Sequence, residues 1–160
     1  MKSFSIVGWS GSGKTLLITR LIEEFRARGR QVVAVKNAHG GYALQPEGKD
    51  TARFLQAGAR EAYLLAGGEL LRMTPLASPA ELVDELRQRL GAGDVVLLEG
   101  LTAPDIPIIE VQSARGEMTL KTPPENLAAL VTEANGACPC PRFHPDEVAA
   151  IRAFIEEYHE

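Results

Sequence analysis

Phe4-Ser5-Ile6-Val7-Gly8-Trp9-Ser10-Gly11-Ser12-Gly13-Lys14-Thr15, continuing into Leu16-Leu17-Ile18-Thr19-Arg20-Leu21-Ile22, decides how this chain is read. Phe4 to Val7 reads as a short strand, and Leu17, Leu21, Ile22 and Phe25 recur at helical spacing from Lys14 to Arg28, with Gly29 as the stop. Between strand and helix, Gly8 to Thr15 satisfies G-x-x-x-x-G-K-[ST] in the context that pattern requires. Gly8, Gly11 and Gly13 allow the backbone to wrap closely around an anion, with successive N–H groups and the positive helix end aimed at phosphate oxygens. Trp9, Ser10 and Ser12 complete the loop. Lys14 is expected to reach the β and γ phosphates and Thr15 to offer its hydroxyl to Mg²⁺. The motif does not name the base.

Outward from this loop, Gln31 to Lys36 is rich in β-branched residues and reads as a buried strand, so the first 36 residues form a β-α-β unit. A polar loop then leads to a short helix over Lys49–Ala57, a strand over Glu61–Ala66, and a Gly67-Gly68 hairpin into Leu70–Met73. Ser78-Pro79-Ala80-Glu81 combines a capping box with proline in the first turn and predicts a helix over Pro79–Leu90. Val95 to Leu98 has the continuous apolar pattern of a central parallel strand. Ile108–Val111 and Met118–Leu120 are expected as paired strands around Ala114-Arg115-Gly116, and Leu127–Thr132 as a further strand. Gly136 to Pro145 is proline-rich and cannot be a regular helix interior, and Asp146 to Tyr158 is helical. The alternation predicts an α/β fold, a single P-loop NTPase-like domain over residues 1–160 with a mostly parallel sheet flanked by helices.

Composition agrees with that reading. The chain has 160 residues, 17 Lys+Arg against 21 Asp+Glu, a net charge of −4, and 45% hydrophobic residues. A domain of this size buries roughly 70% of its unfolded surface and needs no disulfide scaffold. The mild acidity and the lack of a Lys/Arg run argue against broad nucleic-acid or membrane-surface binding. No apolar run approaches the ~20 residues of a membrane span. The N-terminus passes almost at once into the glycine-rich loop, leaving no room for a signal peptide, so a cytoplasmic location is expected.

Magnesium bound beside phosphates needs carboxylate support, normally from the end of an adjacent apolar strand. Glu99 follows Val95-Val96-Leu97-Leu98 and is expected at the C-terminal edge of the sheet, where open α/β folds bind ligands. Asp94 opens the same strand and reads as a turn residue at the opposite edge. A second cluster, Gly48-Lys49-Asp50-Thr51, sits at a helix start. There Asp50 either stabilises the helix dipole or holds a magnesium-bound water, with Lys49 near phosphate. Lys36, at a strand exit, falls on the binding edge, though such a lysine is more often solvated.

These residues, in order, resemble the molybdopterin-guanine dinucleotide biosynthesis protein B family. The resemblance is carried by the loop Gly8 to Thr15, the strand ending at Lys36 with His39 nearby, Gly48-Lys49-Asp50-Thr51, Ala57-Gly58-Ala59 and Leu98-Glu99-Gly100. It implies a dimeric GTP-binding protein with weak GTPase activity and Mg²⁺ as cofactor. It also implies a partner, the guanylyltransferase that attaches GMP to molybdopterin, and a molybdopterin-type ligand. By position in these motifs, Lys14, Asp50 and Glu99 are implied as catalytic, and Thr15, Asp50 and Glu99 as metal-site groups. The chain departs from the family where Asn37-Ala38-His39-Gly40-Gly41 keeps one histidine, where Ala43-Leu44-Gln45 lacks an acid, and where Thr102 replaces a lysine.

No Asn-Lys-x-Asp motif occurs to read guanine. A base-reading carboxylate is therefore sought in the loop after Leu127–Thr132, where Glu133 can accept from guanine N1 and N2 and Asn135 can assist. Cys138-Pro139-Cys140 with His144 invites a zinc reading, but only three candidates at an unusual C-x-C spacing favour a pair of reduced structural thiols over it. Trp9 is expected to pack beneath the loop or against a second subunit rather than over a nucleotide. Two rival functions remain. A small-molecule kinase would need a lid with arginines, and the dense basic segment Arg26-Ala27-Arg28-Gly29-Arg30 lies at the far end of the first helix. A non-catalytic adaptor would use bound nucleotide as a structural element.

Overall fold

A computed structural model describes residues 1–38, 48–113 and 119–159. Expectations placed on His39, Gly40, Gly41, Ala43, Leu44, Gln45, Ala114, Arg115, Gly116 and Met118, and on the side chain of Lys49, lie outside the described residues. In chain order the elements are β1 (Lys2–Val7), α1 (Lys14–Ala27), β2 (Val32–Lys36), α2 (Gly48–Gln56), β3 (Ala62–Ala66), β4 (Glu69–Met73), α3 (Pro79–Arg89), β5 (Val95–Glu99), β6 (Ile108–Gln112), β7 (Leu127–Thr132), β8 (Arg142–Phe143) and α4 (Val148–Glu157). Two compact units result, one of Met1–Asn37 with Val83–Glu160 and one of Ala38–Leu82.

In the larger unit six strands form one sheet in the order β2-β5-β1-β6-β7-β8, every pair parallel. Parallel strands are covered on both faces, which is why their sequences are apolar runs instead of clean alternations. Phe4, Ile6, Val95, Leu97, Ile109, Val111, Ala129 and Val131 form one face, packed with Leu17, Leu21 and Phe25 of α1 and Ile151 and Ile155 of α4. Val96, Leu98 and Leu130 are buried as well. Phe4, Phe154 and Tyr158 meet edge-on, with centroids 5.3–6.2 Å apart, and hold α4 against the start of β1.

Two sequence expectations change. Among the described residues β2 is an edge strand, with no neighbour on its second side in the strand order, and it is half-exposed. The expected pairing of Ile108–Val111 with Met118–Leu120 does not form: β6 lies between β1 and β7, both its edges are used, and Thr119 and Leu120 carry no strand. The proline-rich segment is not helical, as expected, and adds the short strand β8, whose Arg142 and Phe143 pair with Leu130 and Val131.

In the smaller unit β3 and β4 form an antiparallel hairpin. Gly67 and Gly68 have φ of 58° and 83°, the two successive left-handed residues of a type I′ turn. Thr51 of α2 is buried and its hydroxyl contacts Met73 Sδ at 3.7 Å. Leu65 and Leu70 sit opposite each other on the hairpin, 78% and 61% exposed. At the start of α3 the capping box is partly realised: Glu81 N–H donates to Ser78 Oγ at 3.3 Å, and the Glu81 carboxylate accepts from Ala77 N–H at 2.7 Å. Among the described residues no helix is long and apolar enough to cross a membrane.

Candidate functional site

The strand order puts β1 in the middle of the sheet, between β5 and β6, so the loop that follows Val7 opens at the C-terminal edge among several strand ends. That is the edge where parallel sheets place ligands. Gly8 has φ of +142°, and a Cβ there would collide with the Val111 carbonyl oxygen and stand 2.7 Å from Ser12 Oγ. Only glycine lets the loop lie this close to β6. Gly13, at φ +96°, is the N-cap of α1, and its carbonyl accepts from Leu17 N–H at 2.9 Å. Among the described residues no side chain caps the helix. Its first N–H groups therefore stay available for an anion.

Lys14 folds back over the loop, its ammonium donating to the carbonyls of Gly8 at 3.0 Å and Trp9 at 2.7 Å. Burial pushes its pKa below the ordinary lysine value, Glu99 opposes that shift, and Lys121 and Lys36 add to it. Thr15 Oγ1 donates to both carboxylate oxygens of Glu99, at 2.9 and 3.0 Å. The register explains why they meet. Glu99 is level with Ile6 of β1 and with Lys36 of β2, so one carboxylate faces the loop from the neighbouring strand end.

Lys36 completes this group with its ammonium 3.0 Å from Glu99 Oε1, an ion pair instead of a solvated strand-end charge, although the lysine is still 63% exposed. Asn37 braces the turn: its N–H donates to Glu99 O at 3.0 Å and its side-chain amide to Gly100 O at 3.1 Å. Ser12 Oγ is buried and has no hydrogen-bond partner among the described residues. Thr102, beyond β5, is exposed.

Trp9 does not pack beneath the loop. Its indole N–H donates to Thr119 O at 2.7 Å, and Lys121 Nζ lies 4.9 Å from the ring centroid. The segment carrying these residues is pinned by Glu110, a fully buried carboxylate that accepts from the N–H groups of Lys121 at 2.7 Å and Thr122 at 2.9 Å. Sequence reasoning missed both Glu110 and Lys121. The signal for Glu110 was present: an acid inside Ile108-Ile109-Glu110-Val111 must find donors when the strand is covered on both faces.

Asp50 and Lys49 lie on α2 in the smaller unit. Asp50 is exposed and 3.4 Å from Arg53, an arrangement compatible with dipole stabilisation at the helix start. At the ends of β6 and β7 a cavity of about 210 Å³ is lined by Gln112, Thr132, Asn135 and Arg142 among others. Asn135 lines it and Glu133 does not, the latter being exposed beside it. Thr132 Oγ1 donates to Gln112 Oε1 at 3.2 Å and accepts from Ala134 N–H at 3.1 Å, and Arg142 donates to the carbonyls of Ala134 and Gly136. Cys138 and Cys140 are free thiols with sulfurs 2.8 Å apart, and burial pushes the Cys140 thiol up to about 12. His144 is occupied otherwise, its Nδ1 accepting from Asp146 N–H at 3.3 Å.

Comparison with known proteins shows the family. The chain is 34% identical over 157 residues to the molybdopterin-guanine dinucleotide biosynthesis adapter protein of Haemophilus influenzae, covering 96% of this chain and 86% of that protein. It is 30% identical over 158 residues to a probable adapter protein of the same description from Bacillus subtilis, covering 91% and 87%. A solved structure of Bacillus subtilis MobB shares the fold at a TM-score of 0.66 and 20% identity, over 99% of this chain and all of that one. A crystal structure of a molybdopterin-guanine biosynthesis protein B superposes at 0.62 with 27% identity over 96% of each chain. The family model described as molybdopterin guanine dinucleotide synthesis protein B matches residues 3–133, from β1 through the end of β7, and the chain belongs to that family.

Proposed function

We propose that this chain is a GTP-binding adapter of molybdopterin-guanine dinucleotide biosynthesis, built on a P-loop NTPase-like sheet and turning over GTP slowly if at all. The observation that carries the reading is the convergence of Lys14, Thr15, Glu99 and Lys36 on the glycine loop at the C-terminal sheet edge. Loop N–H groups and the uncapped start of α1 would receive the β and γ phosphates, and Lys14 would exchange its loop carbonyls for phosphate oxygens.

The donor set fits magnesium. Thr15 Oγ1 and the Glu99 carboxylate are hard oxygens already within hydrogen-bond distance of each other, and phosphate and water oxygens would supply the remaining ligands. When bound, Mg²⁺ would neutralise charge on the phosphate oxygens. Hydrolysis would be phosphoryl transfer to water, with Glu99 or Asp50 orienting the water. In the described site Glu99 is held by Thr15 and Lys36, and the Arg26–Arg30 segment lies at the opposite end of α1, an arrangement that favours slow turnover over a kinase lid. Asp50 and Lys49 stand as proposed contributors to the metal shell and the phosphates, tested separately by D50N and K49A.

Guanine selection is proposed for the loop after β7, with Glu133 accepting from guanine N1 and N2 and Asn135 assisting. We further propose that the protein works as a homodimer with the guanylyltransferase as its partner, in contact with a molybdopterin-type ligand, in the cytoplasm. The exposed Leu65 and Leu70 support a protein contact at the hairpin. Titration with GTP and ATP, with and without Mg²⁺, followed by phosphate release, tests the reading. GTP binding about tenfold tighter than ATP, a difference of about 1.4 kcal/mol, with little release, is expected. ATP preference with transfer to a small metabolite would replace it with the kinase.

A further inference from the structure

The P-loop lysine shares its surroundings with two further ammonium groups, Lys36 and Lys121, and with the Glu99 carboxylate. Lys14 is under the influence of Glu99, Lys121 and Lys36 together, and Lys36 is already paired with Glu99. Among the described residues no carboxylate pairs with the Lys121 ammonium. Like charges gathered at one place raise the free energy of the empty site and lower that of a site holding an anion.

The placement of Lys121 is built. Glu110 is 1% exposed, and both of its oxygens are committed to backbone N–H groups of Lys121 and Thr122. Charge-assisted bonds to a buried carboxylate are among the stronger ones in proteins, so the backbone at 121–122 is fixed to the middle of β6. The same segment is fastened to the loop through Trp9, the residue after Gly8, whose indole N–H bonds Thr119 O while its ring lies beneath the Lys121 ammonium. A cation over an indole face is held without being neutralised, so its charge stays available to a ligand. The chain thus fixes the segment to the sheet at Lys121 and Thr122 and to the phosphate loop at Thr119, which holds the lysine beside the loop.

We propose that Lys121 is a second phosphate-binding cation of this site, carried to the loop by the Glu110 anchor and the Trp9 dock, and bonding the polyphosphate of the nucleotide alongside Lys14. The assignment rests on the reading of Gly8 to Thr15 as a phosphate site. It also gives Trp9 a role: the side chain guides a cation to the loop.

Calorimetric titration of the full chain with GTP and with inorganic tripolyphosphate, in the wild type, K14A, K121A and K121R, tests it. K121A is expected to weaken both ligands about tenfold, about 1.4 kcal/mol, and K121R to recover most of the loss. An equal loss for tripolyphosphate places the contact on phosphate and not on the base. Wild-type affinity in K121A, with binding lost in K14A, overturns the proposal and leaves the phosphate site standing. A loss in K121A that K121R does not restore overturns it too, since only the segment's structure would then matter. Binding indifferent to K14A would sink the phosphate-site reading itself.

Discussion

Replacing Gly8 with alanine probes the loop where its geometry is least forgiving. The new methyl group would be driven into the Val111 carbonyl, 3.2 Å from its carbon and 2.7 Å from Ser12 Oγ, at a φ of +142°. Holding a non-glycine residue in so sparsely populated a region costs about 1–3 kcal/mol. Relieving the contact with β6 costs about another 1–3 kcal/mol, because the obstacle is backbone at the centre of the sheet. Together the penalty is about 2–6 kcal/mol, a large part of the 5–15 kcal/mol typical of a domain. Gly11 is the control: its φ is +74°, but a Cβ there meets nothing within 4 Å, so G11A bears only the conformational term of about 1–2 kcal/mol. Thermal unfolding should show G8A lowered by roughly 5–20 °C and G11A by a few degrees, and denaturant titration should give the same order. If G8A is no less stable than G11A, the close approach of the loop to β6 is not a determinant of the fold.

E99Q keeps the hydrogen-bond acceptor for Thr15 but removes the charge: affinity for GTP is expected to fall roughly tenfold or more with Mg²⁺ and to change little without it. Equal losses in both conditions would assign Glu99 to loop structure instead of to the cation. Burial holds the Lys14 pKa below the ordinary lysine value, and a bound polyanion raises it again. Nucleotide binding should then take up protons as the pH approaches the ordinary lysine value of 10.5, and affinity should decline over the same rise; a flat profile measured in buffers of differing ionisation enthalpy would refute the role given to this ammonium. On the hairpin, L65D with L70D should convert a dimer to a folded monomer by light scattering, whereas an unchanged mass would move the contact elsewhere.

The elements that a local pattern specifies were legible. Strand, glycine loop and helix from Lys2 to Ala27 follow from side-chain spacing and from glycines whose φ is positive. The Gly67-Gly68 turn and the Ser78–Glu81 cap are equally local. What escaped depended on neighbours distant in sequence. Whether Ile108–Val111 pairs with the residues just after it or with β1 and β7 is settled by the sheet as a whole, and β8 is too short to show a period. The same holds within the site. Glu99 could be placed from its position at a strand end, but its bonds to Thr15 and Lys36 come from register between three strands. The Glu110 anchor joins residues 11 and 12 positions apart across a strand exit, and only the buried acid itself hinted at it.

The central claim is that the loop from Gly8 to Thr15 grips a polyphosphate through Lys14. Calorimetry of wild type and K14A with GTP in the presence of Mg²⁺ tests it most directly. The account predicts saturable one-site binding by the wild type and a roughly tenfold to hundredfold loss in K14A, the value of a charge-assisted contact of about 1.5–3 kcal/mol. Absence of wild-type binding at millimolar GTP, or equal affinity in the two proteins, would contradict it.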